Sequence, residues 1–274
     1  MLFRSLTGQQ RAGSARRAPA EYRRFTAAVT FREFVATART VNKRLAEIKP
    51  NPDDAGMDYG HIGKPRGPLD APAWDERYRT GDTPWDKGEP SRGLVDFLAH
   101  DLHRVVAAGP GGKSNGAAGT AAATTVLVPG CGRGHDCREL ARYGFDVTGL
   151  DVSARALQGA VTAPGIRYVV GDFLTHTGQY DWVFEHTCFC AIHPDLRDRY
   201  VEAAARVLKP GGHLLGIFFN MSTDEGPPFG ATREELLQRF GRRFELVFDK
   251  VPRSWPNRRG EELLMLWRVN KPVE

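Results

Sequence analysis

Apolar positions along the second half of the chain follow two alternating periods, one typical of strands and one typical of helices. Seven short apolar runs predict β-strands, at residues 126–128, 146–150, 166–170, 181–185, 214–219, 244–250 and 263–269. Segments of helical spacing lie between most of these runs, at 136–143, after Ser153, at 196–207 and after Thr232, where Glu235 completes a capping box. This alternation predicts an α/β fold with a seven-stranded, mostly parallel sheet and helices on both faces.

The first half of the chain carries weaker periodic signals. Ser91 is suited to cap a helix whose apolar side holds Leu94, Phe97, Leu98 and Leu102. An amphipathic helix is also predicted at 31–49. Residues 51–72 are rich in Pro, Gly and Asp and predict a loop. Residues 107–124 are low-complexity Gly and Ala, which is typical of an insertion or a flexible linker.

The net charge of +5 is unevenly distributed along the chain. Residues 1–50 hold eleven Lys and Arg against three Asp and Glu, a balance of +8, so the remaining residues hold 27 against 30, a balance of −3. A nucleic-acid-binding domain is expected to carry a basic stripe on its folded body. The sequence therefore predicts no nucleic-acid partner for the folded part of the chain.

The basic N-terminal segment leaves three interpretations open. Its Arg-, Ala- and Ser-rich composition is typical of an organelle transit peptide. It could also be a nucleic-acid-binding arm, or a non-native extension from an upstream start codon. We favour the extension, because Met57 lies just before the first motif-like segment. The predicted organisation is a basic extension over 1–56 and one folded domain over 57–274.

Composition places the chain among ordinary globular proteins, with 41% hydrophobic and 26% charged residues. No run of about eighteen apolar residues is present, so the sequence predicts no membrane-spanning helix. The spacings of the cysteines, Cys-x5-Cys and Cys-x-Cys, do not match the paired spacing of zinc sites, and we expect no metal. We expect a reduced, cytoplasmic protein, because the following cysteines suit it better than a disulfide framework: Cys131, Cys137, Cys188 and Cys190. We also expect a monomer.

A glycine-rich turn follows the first predicted strand in the segment VLVPGCGRGHD, residues 126–136. Gly130, Gly132 and Gly134 allow a sharp turn and a close approach of the backbone to a bound cofactor. Nucleotide-binding folds of several kinds use such a turn. A nicotinamide dinucleotide is less favoured here, because the third glycine comes too early for G-x-G-x-x-G.

Two acidic residues follow the next two strands. Asp151 ends the second strand, 21 residues after Gly130, where a carboxylate can accept hydrogen bonds from both ribose hydroxyls of an adenosine. Asp172 follows the third strand and is suited to bind the exocyclic amine of an adenine, with Phe173 beside the ring. Either carboxylate could instead cap the helix that follows it. Together with the glycine turn, the two acids favour an adenosine-containing cofactor.

Four segments form a more specific set: WDERYRTGDTPWDKG, VLVPGCGRGHD followed by VTGLDVS, VFEHTCFCAIHPDLR, and DEGPPFGAT. With the Lys-Pro-Gly-Gly turn before the fifth strand, they resemble the thiopurine S-methyltransferase superfamily, nearest its thiol and halide methyltransferase branch. The resemblance covers residues 74–267, of which 74–98 is an aromatic segment. It implies a Rossmann-like class I methyltransferase fold, S-adenosylmethionine as the cofactor and a small-molecule substrate.

The resemblance also implies cofactor contacts from the aromatic segment. Trp74 and Trp85 are expected to contact S-adenosylmethionine, together with Gly130, Asp151 and Asp172. We extend the candidate set to Gly132, Gly134, Phe173, His186 and Tyr78, which stands where the family has a second tryptophan. The aromatic rings could exclude water and offer π faces to the sulfonium, or merely anchor the segment to the core.

His186 stands where plant members usually have tyrosine. It could touch the substrate, act as a base for a protonated thiol, or be structural. Three arginines flanking SWPN, Arg253, Arg258 and Arg259, could attract an anionic substrate or form a solvated loop.

The resemblance implies methyl transfer to a small soft nucleophile, such as a thiol, sulfide, thiocyanate or halide ion. A thiopurine or metalloid methyltransferase is the alternative within the same class. The fourth strand ends in Glu185-His186-Thr187 and lacks the Asn/Asp-Pro-Pro-aromatic motif of enzymes that methylate nucleic-acid amines. From a different class, the chain could be a non-catalytic cofactor-binding protein with a nucleic-acid-binding tail.

Overall fold

The structure is a computed structural model that describes residues 69–108, 123–221 and 226–270. The predicted extension 1–56, with its helix at 31–49, lies outside the described residues. Most of the Gly/Ala-rich segment 107–124 also lies outside them. The described part contains nearly all of the segments that carry the predicted chemistry.

Helices and strands alternate along the described chain. They are α1 (Ala71–Thr80), α2 (Arg92–His100), α3 (Leu102–Ala108), β1 (Thr125–Pro129), α4 (His135–Arg142), β2 (Asp146–Asp151), α5 (Ala154–Gln158), β3 (Ile166–Val170), β4 (Tyr180–His186), α6 (Arg197–Val207), β5 (Leu208–Phe219), α7 (Arg233–Phe240), β6 (Phe244–Lys250) and β7 (Glu262–Val269). Short 3-10 turns form at Pro194–Leu196 and Pro256–Arg258. No helix within this part of the chain is long and apolar enough to cross a membrane.

The seven strands form one sheet in the order β3-β2-β1-β4-β5-β7-β6. All neighbours from β3 to β5 are parallel, and β7 runs antiparallel to both β5 and β6. The predicted seven-stranded, mostly parallel, Rossmann-like sheet is confirmed. The strand order reverses between β1 and β4, and in open α/β sheets such a reversal opens a crevice at the carboxyl ends of the strands.

Two hydrophobic cores cover the two faces of the sheet. In β7, Met265 and Trp267 face the core that includes α6 and α7, whereas Leu264 and Leu266 face the core that includes α2 and α4. This alternation follows from the two-residue period of a strand. Because both faces are covered by helices, the central strands read as nearly continuous apolar runs.

Helix α1 is an element that the sequence analysis did not predict. Asp70 accepts a hydrogen bond from the amide of Ala73 at 3.0 Å, Pro72 lies in the first turn, and Gly81 ends the helix at φ +75°. None of the helix residues is fully buried. The apolar stripe that would reveal a helix is therefore weak here, although the capping residues could have indicated it.

Two further boundaries differ from prediction. The helix expected after Ser91 is two helices, α2 and α3, separated at the buried Asp101, which pairs with Lys250. Strand β5 begins at Leu208, so the Lys-Pro-Gly-Gly segment lies within it as an irregularity in the β4–β5 pairing. Neither difference moves the carboxyl ends of the strands, where the predicted site residues lie.

Candidate active site

A cavity of about 780 Å³ lies at the carboxyl ends of the parallel strands. Nine of the ten predicted site residues line it: Trp74, Tyr78, Trp85, Gly130, Gly132, Asp151, Asp172, Phe173 and His186. Its glycine-loop side, after β1, β2 and β3, holds Gly130, Gly132, Asp151 and Asp172. Its histidine side, at β4 and before β7, holds His186, Trp255 and Arg258.

Two glycines of the turn cannot carry a side chain. Gly130 and Gly132 have φ values of +59° and +54°, a region that L-residues rarely adopt. A Cβ at Gly130 would lie 2.8 Å from the Cβ of Cys188, and one at Gly132 would lie 2.9 Å from the Tyr78 hydroxyl. The loop therefore leaves bare backbone at the cavity wall.

Gly134 serves a different purpose from its two neighbours. It precedes the first residue of α4 at φ +69°, and a Cβ there would collide with the ring of Tyr168 on β3. Gly134 is not among the residues that line the cavity. Its missing side chain thus permits close packing of the turn against the sheet.

Asp151 ties the end of β2 to the glycine turn. One carboxylate oxygen accepts a hydrogen bond from the Gly132 amide at 2.8 Å, and the other accepts one from the Ser153 amide at 2.8 Å. Burial raises the pKa of the Asp151 carboxyl above its usual value, although these two hydrogen bonds oppose the shift. Ser153 in turn caps α5. Asp151 therefore shapes the turn and also supports the adjacent cap.

Asp172 and Phe173 form the wall after β3. Asp172 is exposed and accepts a hydrogen bond from the Leu174 amide at 2.8 Å. Phe173 is buried, and its ring centroid lies 4.7 Å from that of Tyr200. Phe173 thus belongs partly to the core and partly to the cavity wall.

The aromatic residues of α1 and the following loop form one cluster. The ring of Trp85 meets those of Trp74 and Tyr78 edge to face, with centroids 5.4 and 5.9 Å apart, and its indole N–H donates to the Tyr78 hydroxyl at 3.3 Å. The Arg77 guanidinium lies 4.4 Å from the Trp85 ring centroid. Burial and the charge of Asp151 raise the pKa of the Tyr78 hydroxyl far above its usual value, so it remains a neutral donor.

Helix α1 is also fixed to the glycine-loop side by a polar contact. The Asp75 carboxylate accepts hydrogen bonds from the Ser153 hydroxyl and from the Arg155 amide. The Ser153 hydroxyl also accepts from the Ala156 amide, so it links α1 to the start of α5. Sequence reasoning did not single out Asp75, because this contact spans 78 residues of chain.

On the histidine side, His186 pairs with a residue of the glycine-turn motif. Its Nδ1 lies 2.9 Å from Oδ2 of Asp136, and Oδ1 of Asp136 accepts a hydrogen bond from the Ser91 amide at 2.7 Å. The His186 ring is nearly parallel to that of Trp255, with an interplanar angle of 15° and centroids 6.1 Å apart. Nε2 of His186 is buried and has no hydrogen-bond partner in the part of the chain that the structure describes.

The turn after β4 holds His186 in place. Oε1 of Glu185, a buried residue, accepts hydrogen bonds from the amides of Cys188 and Phe189, and Oε2 accepts from the Tyr200 hydroxyl. Burial raises the pKa of Glu185 above its usual value, and these hydrogen bonds oppose the shift. Thr187 has φ +68°, which is strained for a β-branched residue. The hydrogen bonds of Glu185 therefore hold the backbone beside His186 in this strained conformation.

The three arginines near SWPN have different surroundings. Arg258 is buried, lines the cavity and lies 3.3 Å from Glu262. Arg253 is exposed and forms a two-pronged contact with Asp96 at 2.9 and 2.8 Å, and Arg259 is exposed. Of the three arginines, Arg258 alone belongs to the cavity wall.

Several wall residues were not predicted from the sequence. Asp136 was recognised as part of a motif but not as the partner of His186, and Trp255 was noted only as part of SWPN. The dipeptide His135-Asp136 directly follows the glycine turn, and it was the signal that could have drawn attention to Asp136.

All four cysteines are free, and the described residues contain no group of three or more metal-binding side chains.

The chain is similar in sequence to known methyltransferases. The family model of thiopurine S-methyltransferase matches residues 69–254. Thiocyanate methyltransferase 1 of Brassica oleracea is 31% identical over 212 residues, which cover 71% of this chain and 84% of that protein. A probable thiol methyltransferase 2 of Arabidopsis thaliana is 30% identical over 208 residues, with the same coverage of 71% and 84%.

A solved structure shares the fold. The 1,6-didemethyltoxoflavin-N1-methyltransferase of Burkholderia thailandensis was crystallised with 1,6-didemethyltoxoflavin and S-adenosylhomocysteine. It aligns with a TM-score of 0.53 and 19% identity, covering 78% of this chain and 99% of that one. At this level of identity, the likeness concerns the fold alone.

Proposed function

The chain belongs to the thiopurine S-methyltransferase family, and from this premise we propose that it methylates a small soft nucleophile, such as a thiol, sulfide, thiocyanate or halide ion. It is an S-adenosylmethionine-dependent methyltransferase that acts on a small molecule. The observation that carries the proposal is that one cavity is shared by the bare glycine turn, Asp151, the aromatic cluster and His186.

The glycine-loop side fits the adenosine part of S-adenosylmethionine. Gly130 and Gly132 line the cavity and carry no side chain, so a ligand can approach the backbone of the turn there. Asp151 is fixed by two backbone amides, and a carboxylate in that place can still accept hydrogen bonds from ribose hydroxyls. We propose that Asp172 and Phe173 lie against the adenine.

The aromatic cluster fits the other end of the cofactor. We propose that Trp74, Tyr78 and Trp85 exclude water and present π faces and a phenol oxygen to the sulfonium. When bound, the cofactor supplies an electrophilic methyl carbon. A soft nucleophile that is already an anion needs no proton removed, so the protein mainly has to align it with the methyl carbon in a dry pocket.

The acceptor classes follow from the relatives and from the geometry. One relative is a thiocyanate methyltransferase and another a probable thiol methyltransferase. The part of the wall left over for an acceptor holds His186, Trp255 and Arg258, a flat and cationic surface suited to small polarisable nucleophiles. A thiopurine would be a larger occupant of the same space.

A methyl-transfer screen tests the proposal. The full chain would be supplied with S-adenosylmethionine and with sulfide, thiocyanate, iodide, an alkyl thiol, thiophenol and a thiopurine in turn. We expect volatile methylated products from at least one small nucleophile, detected by gas chromatography beside the S-adenosylhomocysteine released. Cofactor binding without turnover of any soft nucleophile would contradict the proposal, and a thiopurine turned over best would favour the alternative activity.

We further propose that the enzyme works as a monomer in the cytoplasm and without nucleic acid. The four free cysteines fit a reducing compartment, and the balance of −3 beyond residue 50 does not favour an anionic polymer as partner. Sedimentation of the purified chain tests the monomeric state, and a nucleic-acid binding assay at low salt tests the absence of a nucleic-acid partner.

A further inference from the structure

We propose that His186 removes the proton of a thiol acceptor and that Asp136 is the residue that positions His186 for this step. The preferred acceptor of this chain is then a protonated thiol, R–SH, rather than a halide or thiocyanate ion. The inference rests on the proposed methyltransferase function and specifies its acceptor.

The first observation is the geometry of the pair. Asp136 is the second residue of α4, and its two oxygens are both engaged, one by Nδ1 of His186 at 2.9 Å and one by the Ser91 amide at 2.7 Å. A carboxylate can only accept, so Nδ1 carries the proton in this contact. The neutral imidazole therefore has its lone pair on Nε2.

The second observation is that this lone pair has no partner among residues 69–108, 123–221 and 226–270. The His186 side chain is 10% exposed, and its Nε2 is a buried atom without a hydrogen bond on a residue that lines the cavity. A buried acceptor without a donor is costly, because it has lost its hydrogen bonds to water. A thiol S–H supplies such a donor, whereas a halide or thiocyanate ion brings only acceptor sites.

The third observation is that the imidazole cannot easily turn away. Its ring lies nearly parallel to Trp255, and the indole N–H of Trp255 donates to Glu89 at 2.9 Å. On the other side, the strained Thr187 follows directly in the chain. Packing on the ring and the backbone beside it thus fix the orientation of Nε2, on a residue that belongs to the cavity wall.

The charges around His186 favour a base of moderate strength. Burial opposes protonation, but the charge and the hydrogen bond of Asp136, together with Glu262, outweigh burial and the repulsion from Arg258, and they raise the pKa of His186. The adjacent Glu185 is buried and faces the other way, toward Tyr200. A base whose pKa lies closer to that of a thiol takes its proton more readily.

The step balances as follows. The S–H bond of the acceptor breaks and its proton moves to Nε2, giving an imidazolium whose Nδ1–H remains on Asp136. The freed electron pair on sulfur forms the new bond to the methyl carbon. The bond from that carbon to the sulfonium breaks, and its electron pair stays on the departing sulfur, so the products are a thioether and neutral S-adenosylhomocysteine. The imidazolium returns its proton to water.

Two variants and two acceptors test the inference. His186→Gln and Asp136→Asn would be compared with the wild type, using an alkyl thiol and thiocyanate from about pH 6 to about pH 9, which spans the ordinary pKa values of histidine and thiols. For the thiol, we expect kcat/KM near neutral pH to fall about 100-fold in His186→Gln and about 10-fold or more in Asp136→Asn. For thiocyanate, we expect a clearly smaller loss in both variants, of less than about tenfold, because His186 contacts the anion but takes no proton from it.

The pH profiles of the wild type give an independent readout. Turnover of the thiol should rise as His186 loses its proton, whereas turnover of thiocyanate should fall over the same range, because only the imidazolium donates from Nε2 to an anion. In His186→Gln the rise in thiol turnover that follows deprotonation of His186 should vanish. Only the rise caused by ionisation of the thiol itself should remain. Parallel profiles for the two acceptors in the wild type would overturn the inference.

Matched controls separate the pair from general effects. Asp198→Asn changes the second residue of α6, an exposed carboxylate bonded to Arg239, and His176→Gln changes a histidine bonded to Tyr180 outside the cavity. Neither variant should alter the ratio of kcat/KM for the thiol to kcat/KM for thiocyanate. Equal losses for thiol and thiocyanate in His186→Gln would overturn this inference alone, while a wild type without turnover of either would overturn the proposed function.

Nuclear magnetic resonance of the free protein provides a test without turnover. With ¹⁵N-labelled histidine, the neutral His186 ring should carry its proton on Nδ1. In Asp136→Asn the amide group can donate toward Nδ1, so the proton should move to Nε2 and the pKa should fall. A proton on Nε2 in the wild type would overturn the inference.

Discussion

The two sides of the cavity are built from different materials. The glycine-loop side consists mainly of backbone at the ends of neighbouring strands, with two positive-φ glycines and a carboxylate bonded to the amides of Gly132 and Ser153. The histidine side consists of side chains brought together over long distances, such as the contact of His186 with Asp136 across 50 residues. A ligand common to many enzymes suits the first side, and an acceptor that differs between enzymes suits the second.

This contrast predicts that substitutions on the two sides affect different properties of the protein. Changes on the glycine-loop side alter the main-chain course, so they should affect both cofactor affinity and folding. Changes on the histidine side alter the chemistry offered to an acceptor and leave the turn intact. If the two sides are separable in this way, a variant on one side should leave the role of the other side unchanged.

Asp151→Asn should separate the two sides most clearly. The asparagine side chain would place its NH₂ group opposite the backbone N–H of either Gly132 or Ser153. Two donors would then face each other in a buried place, and one hydrogen bond would be lost. We expect S-adenosylhomocysteine to bind about 100-fold more weakly, or about 3 kcal/mol. Isothermal titration calorimetry gives the affinity, and circular dichroism checks the fold.

The matched comparison is His186→Gln, which should change the affinity for S-adenosylhomocysteine less than about twofold. A loss of similar size in both variants would mean that the two sides act as one unit. An unchanged affinity in Asp151→Asn would reduce Asp151 to support of the α5 cap.

Gly130→Ala should reveal the place where the two sides touch. Its new Cβ would lie 2.8 Å from the Cβ of Cys188, which follows His186 in the turn after β4. Gly144→Ala is the control, because Gly144 also has a positive φ, of +87°, but its Cβ would meet nothing within 4 Å. Both variants should lose about 1 kcal/mol to backbone strain, and Gly130→Ala about 2 kcal/mol more to overpacking. Urea unfolding measures the difference, and equal losses would show that the turn relaxes freely.

The smallest effect is the pH dependence of stability on the histidine side. Because the pKa of His186 is raised in the folded state, its contribution to stability is fully present below the ordinary histidine value of about 6.5 and is lost as pH rises through the folded value. The free energy of unfolding of the wild type minus that of His186→Gln should therefore shrink toward alkaline pH.

The titration of His213 does not disturb that measurement. Burial lowers its pKa to about 4, so its own contribution has the opposite sign, and it cancels in the difference between the two proteins. A difference that stays constant from about pH 6 to about pH 9 would contradict the raised pKa of His186.

The sequence predicted the glycine-loop side better than the histidine side, for a physical reason. A sharp turn after a strand requires glycine at particular positions, and a carboxylate at the end of the next strand reaches that turn in any parallel sheet. Gly130, Gly132 and Asp151 were therefore recognisable from local pattern alone. Gly134 follows the same pattern, yet packing against Tyr168 accounts for it.

The contacts that remained hidden depend on the register of distant elements. The pairing of His186 with Asp136 requires the start of α4 to lie beside the end of β4, and Trp255 reaches the site from the loop before β7. Ser91 was correctly placed at the start of α2, but its side chain makes no capping bond, and its amide instead donates to Asp136. No local period of apolar residues encodes such contacts.

The position of β7 bears on how the chain is made. This strand lies between β5 and β6, and it pairs with β5 from His213 to Phe219. During synthesis, β5 leaves the ribosome well before β7. The edge of β5 that pairs with β7 therefore stays unpaired while about fifty more residues emerge, which takes several seconds at ordinary translation rates. Nascent chains halted in that interval should be the form most dependent on chaperones.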